Sequence, residues 1–318
     1  MKTLTGIIDQ DAIPQEITAP FSTRLSNEAI QSRFRAGGKL RLNNTVLELK
    51  GGSHNDNTYT FLALSELEMI NSKIVTNGNT LVVFCNSFLS KNSSIISFDE
   101  QNTKADDGTN AIERGHHGGN ASPGDNGGNV AVHIFKKFDG LLDVNLLGQD
   151  GGEGGEGATG TQGLQGTTGR ASETRTSYDG IEPPFNLIFY CHRRAGNGGV
   201  GGNGGPGGNG GNGGDAGNGG LFQLYNVGSE PISNDFIKFE GNAGKAGKKG
   251  TGGDGGNGGS GGAGGAGGRV RGGCSAGKKG ANGKKGMKGS DGINGTTGIN
   301  GSEIREALSL DDLIDKIK

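Results

Sequence analysis

Glycine falls at every third residue from 148 to 169, from 196 to 220, from 241 to 268 and from 277 to 301. A less regular run takes 115, 118, 124 and 127, with Ala121 in phase. A strict period of three suits an extended backbone with three residues per turn, which closes no hydrogen bonds within itself. Its N–H and C=O groups then need partners on neighbouring chains. Collagen is excluded, because only 7 of the 318 residues are proline and a triple helix needs several times that share. A flexible linker has no reason to keep strict phase. The expectation is a bundle of polyglycine-II helices from one chain, each glycine column admitting an adjacent backbone. In 196–220 two of every three columns are almost wholly glycine, leaving a ridge that includes Asn197, Val200, Asn203, Pro206, Asn209 and Asn212. That run and 250–268 are predicted central, and 157–169 and 277–301 peripheral.

The glycines also divide the chain. Residues 1–107 hold 6 of the 69, 108–301 hold the other 63, and 302–318 hold none. With aromatics at 5% and no Trp, the middle region cannot build an ordinary core of large side chains. Apolar inserts supply it instead: 130–135, 141–147, 185–191, 221–225 and 235–239 read as strands between the runs, with Asp139-Gly140 as a turn. Before them, short apolar stretches at 40–42, 46–49, 61–67, 72–75, 81–85 and 95–98 are separated by Asn43-Asn44, Asn77-Gly78-Asn79 and Asn92-Ser93-Ser94. These predict a parallel β-solenoid, with a β-sandwich as the alternative, behind a capped helix over 26–34. The fold class is therefore all-β: a cap and β-solenoid over 1–107, a polyglycine-II bundle with strand inserts over 108–301, and a C-terminal amphipathic helix over 302–318. Leu310, Leu313, Ile314 and Ile317 share one face of that helix, which either packs on the bundle or docks on a partner.

Chemistry-bearing motifs are sparse. The glycine runs match G-x-G-x-x-G repeatedly but lack the strand-turn-helix setting, and no P-loop or H-E-x-x-H occurs. His116-His117 and the spaced acids Asp150, Glu153 and Glu156 read as surface positions rather than metal ligands, and Glu66 and Glu68 are too few to build a glycan-cleaving site. No catalytic residue, metal or cofactor is expected, and the chain is read as non-enzymatic. Cys85 and Cys191 lie in apolar runs and read as buried thiols, with Cys274 distant from both. Residues 241–301 carry ten basic residues against two acids: Lys245, Lys248, Lys249, Arg269, Arg271, Lys278, Lys279, Lys284, Lys285 and Lys288. They form a candidate phosphate-binding patch, but no aromatic interleaves them to stack bases, so a nucleic-acid partner is disfavoured. The longest polar insertion, 170–184, puts Arg175, Tyr178 and Asp179 near its tip and is the candidate partner-binding loop.

The alternation in Gly252-Gly253-Asp254-Gly255-Gly256-Asn257-Gly258-Gly259 resembles the polyglycine-II sandwich of phage long-tail-fibre tip adhesins, and is similar to the glycine-rich domain of Obg-type GTPases. The first resemblance implies receptor recognition through loops between glycine motifs, the second an association with ribosomes. The resulting expectation is a rigid recognition module that binds a cell-surface receptor. The alternative is a cytoplasmic subunit docked to a protein partner through its C-terminal helix. The opening residues lack the apolar stretch of a signal peptide, so a virion-associated or cytoplasmic setting is expected. No apolar run is long enough to span a bilayer.

Overall fold

A computed structural model describes residues 23–26, 38–49, 59–179, 186–227, 232, 234–268, 274–309 and 311–312. The strands are β1 (Thr23–Ser26), β2 (Gly38–Asn43), β3 (Thr45–Glu48), β4 (Tyr59–Ile70), β5 (Lys73–Val75) and β6 (Thr80–Ile96). They continue with β7 (Val130–Asn145), β8 (Glu173–Asp179), β9 (Asn186–Arg193), β10 (Leu221–Val227), β11 (Ile237–Glu240) and β12 (Ser302–Leu308). Ten of them make one sheet in which every pairing is parallel, and β8 and β9 form a separate antiparallel pair.

The long strands β6 and β7 organise the large sheet. Their first halves pair with β4 and β10, and their last residues with β5 and β11. Between the halves the chain bends through left-handed positions: Asn44, Asn71 and Asn92 have φ of 51°, 47° and 46°, and Gly140 has 98°. Asparagine tolerates this region because its short side chain bonds locally, and Asn92 Nδ2 donates to Asn71 Oδ1 at 3.3 Å. Strand alternation turns Leu40, Leu67, Leu81, Val83 and Phe88 inward from one wing and Leu47, Ile74, Ile95, Val144 and Ile237 from the other. All join one buried cluster, each fully buried side chain contributing about 1.5–3 kcal/mol.

This arrangement corrects the expected fold class. The predicted strands 81–85 and 95–98 are one strand, β6, and Asp139-Gly140 is a bend inside β7 rather than a hairpin turn. A solenoid of short strands with a corner after each is therefore not what forms. A register shift between Ser90 and Ser93 lets pairing continue through the bend at Asn92, as a bulge does.

The expected polyglycine-II helices are corrected as well. Among the described residues no helical element covers any glycine run; the helical assignments are the single turn Asn234–Phe236 and the pair 311–312. The resemblance to polyglycine-II sandwich proteins falls with that expectation. A period of three states how often a backbone meets a neighbour, and it does not require a helix. Bonding is lateral instead. Segment 196–220 runs antiparallel to 146–170 (Gly205 N donates to Thr161 O, 2.7 Å) and to 241–268 (Gly256 N to Gly205 O, 2.9 Å). It lies parallel to 277–301 (Gly204 N to Lys284 O, 2.9 Å), and its second half is parallel to 116–128 (Gly118 N to Asn209 O, 2.8 Å). Segment 103–115 bonds alongside 146–170. These pairings make two layers, 103–115, 146–170 and 241–268 in one, 116–128, 196–220 and 277–301 in the other.

The ridges between the glycines complete the bonding. Gly210 and Gly211 donate to Ser290 O and Gly155 O, each in a different segment. The next N–H, of Asn212, donates to Asn120 Oδ1 at 2.9 Å, while Asn212 Oδ1 accepts from Ile293 N at 2.9 Å. Asn197, Asn203, Asn209 and Asn218 accept from 277–301 in the same way. A short side chain with an acceptor is what a backbone donor needs where no carbonyl faces it.

Residues 302–308 are strand β12, parallel to β10, and not part of a terminal helix. Leu310, Leu313, Ile314 and Ile317 lie outside the described residues, as does the cap helix predicted over 26–34, apart from Ser26 in β1.

Candidate functional site

Arg175, Tyr178 and Asp179 belong to a strand, β8, and not to an irregular loop. The ribbon β8–β9 joins the end of segment 146–170 to the start of 196–220, so it stands at the end of the layers far from the large sheet. Across it Arg175 faces Tyr190, Ser177 faces Ile188 and Tyr178 faces Leu187. Alternation puts Arg175, Tyr190, Ser177 and Ile188 on one side and Tyr178, Leu187, Phe189 and Cys191 on the other. Tyr178 is 71% exposed and Tyr190 43%, with Leu187 and Ile188 similarly open. Glu173 ties the base of the ribbon, meeting Arg175 at 3.5 Å and Arg193 at 3.1 Å.

A disulfide between Cys191 and Cys274 fastens the ribbon to the connection between the last two glycine segments. This corrects the reading of Cys191 as a buried thiol. A sequence separation of 83 hid it, since only the layer order brings the two connections together. Cys85 does remain a buried thiol, and burial pushes its pKa up to about 12, so it is inert at neutral pH.

The described basic residues are divided between the two layers. Lys245 and Lys248 project from the layer that holds 146–170, since their carbonyls accept from Gly151 and Gly154. Lys278 and Lys284 belong to the other layer, where their N–H groups donate to Asn197 and Asn203. Lys249 is paired with Asp291 at 3.1 Å, and Lys288 approaches the same carboxylate at 4.0 Å. Lys279 and Lys285 are exposed on segment 277–301. Arg269 and Arg271 lie outside the described residues.

Other sequence candidates have structural partners. Glu66 and Glu68 make cross-strand ion pairs with Lys39 and Arg41. His117 Nδ1 accepts from Asn209 N at 2.8 Å, and His116 meets Glu113 at 3.3 Å. Lys104, bonded to Asp107 at 2.7 Å, also feels Asp150 and Glu153, so the acidic ridge is flanked by positive charge. Among the described residues no three His, Cys, Asp or Glu side chains converge as a metal site, and no helix is long and apolar enough to cross a membrane.

No family model, curated protein or solved structure matches the chain at a significant level.

Proposed function

We propose that this chain is a rigid recognition module that binds a surface receptor through the β8–β9 ribbon. The observation that carries the reading is an exposed, aromatic, arginine-bearing ribbon held on a stiff support. Tyrosine and arginine dominate binding hot spots because they bury much area at little entropic cost. The disulfide and the Glu173 ion pairs hold the ribbon's base in place, which reduces the ordering cost of binding. A disulfide also persists best in oxidising surroundings, which supports a receptor met outside a reducing cytosol.

The test is binding of a fluorescent fusion of the whole chain to intact bacterial cells. Replacing Tyr178 and Tyr190 by Ser should cut binding by about tenfold or more, as loss of two hot-spot residues does, with the melting temperature unchanged. Binding that survives this double change but disappears on removal of residues 310–318 would overturn the proposal in favour of docking through the terminus.

A further inference from the structure

A second feature lies at the opposite end of the glycine segments, where strands pass into them. Here β6, β7 and β11 run side by side and parallel, with Ser94 beside Asp143 and Lys238, and Ile96 beside Asn145 and Glu240. Along each strand every second side chain faces outward, and past the strand end the outward position recurs every third residue. Leu147 is followed by Asp150, and Asn242 by Lys245. The change of period opens a cleft of about 560 Å³, within the usual range of small-molecule sites. The cleft is separated from the ribbon by the length of segment 146–170, on the order of 80 Å for an extended chain.

The lining is chemically mixed in a specific way. Ile96, Phe98 and Leu147 are half-buried and form an apolar strip. Around it stand four carboxylates, Glu100, Asp143, Asp150 and Glu240, against two ammonium groups, Lys73 and Lys245. The carboxylates are spread out and no three converge on a metal site among the described residues. Asn145 also lines the cleft, with its side-chain oxygen beneath the surface and out of reach of a ligand. The lining therefore asks for a ligand with a flat apolar face, donors along its edges and no negative charge.

We infer that this cleft binds an oligosaccharide whose hydroxyl and amino groups donate to the Asp143 and Glu240 carboxylates while a ring face rests on Ile96, Phe98 and Leu147. Adjacent strands are about 4.8 Å apart, a spacing comparable to the breadth of one sugar ring. The excess of carboxylates favours amino sugars over N-acetylated ones and rejects acidic ones. The site is independent of the ribbon and does not rest on the receptor reading.

Calorimetric titration of the full chain with a glucosamine hexasaccharide, its N-acetylated counterpart and a hyaluronan hexasaccharide tests this. The amino form should bind most tightly, the N-acetylated form about fivefold or more weakly, and the acidic fragment not at all, which corresponds to at least about 1 kcal/mol of discrimination. Asp143→Asn combined with Glu240→Gln, both at exposed positions, should weaken binding about tenfold, whereas Tyr190→Ser should leave it unchanged. Absence of binding by both uncharged and amino forms at ~5 mM, where a Kd near 1 mM would already be evident, would overturn the inference. So would equal affinity in the double variant, or loss of binding with Tyr190→Ser.

Discussion

At the scale of single residues, the glycine segments distinguish positions that look alike in the sequence. A Cβ at Gly256 would fall inside the carbonyl oxygen of Thr161, a backbone atom with no freedom to leave. One at Gly205 would first meet the Thr161 hydroxyl, which rotates, with the backbone beyond it at 3.2 Å. Gly256→Ala should therefore cost about 3 kcal/mol or more, as overpacking against fixed atoms does, and Gly205→Ala less. Asn203→Ala removes only an exposed acceptor for Lys284 N and should cost about 0.5–1 kcal/mol. Thermal melting of the three variants checks the order; equal losses would refute it. Gly140 is a separate case, combining a φ of 98° with a Cβ position occupied by the Ser90 carbonyl. Gly140→Ala should lower stability by about 2–3 kcal/mol, measured by denaturant unfolding.

Whole segments are coupled by their caps, and carboxylates among those caps make the coupling pH-dependent. The Gly252 N–H and then Lys249 hold the Asp291 carboxyl below its usual range, and Lys104 and then the Glu153 N–H do the same for Asp107. A folded-state pKa below the unfolded value of about 3.9 gives support that is complete above that value and lost as pH falls through the depressed one. The amide resonances of Gly252 and Glu153 should accordingly titrate together with midpoints below about 3.9. Midpoints at or above that value would show that the two caps contribute nothing. The Asn caps of 197–218 carry no charge and should not respond. The strand inserts were legible as elements because β-rich apolar runs stood between glycine runs. Their pairing was not, since strand partners such as Phe222 and Val130 are far apart in the chain and adjacent only in the sheet.

For the molecule as a whole, the disulfide is the covalent cross-link that ties the ribbon directly to the connection between the last two glycine segments. Cutting it with Cys191→Ser should remove about 4.5 kcal/mol of loop-closure stabilisation by the chain-entropy estimate, and the loss should be local. Hydrogen exchange should speed up at Gly265 and Gly277, whose N–H groups bond next to the link, and stay slow at Gly220 and within β7. Uniform loss of protection would mean that the far end and the sheet unfold as one unit. What the sequence by itself determined is the interval of contact: glycine every third residue marks where another backbone touches, and the number of glycine columns follows how enclosed a segment is. Segment 196–220, with two such columns, bonds to 116–128, 146–170, 241–268 and 277–301 and leaves its ridge exposed, while 277–301, with one, is at an edge. The Asn-rich interruptions were also legible, and Asn44, Asn77 and Asn92 within them take the left-handed backbone that few residues tolerate, whereas the bend at Asn71 carried no such cluster. Only the tertiary structure decided the conformation of the runs, the continuity of β6 and β7 through their bends, the Cys191–Cys274 link and the cleft at the strand ends. Each of these depends on which distant segments become neighbours, and a periodic pattern specifies how often a chain makes contact without specifying with whom.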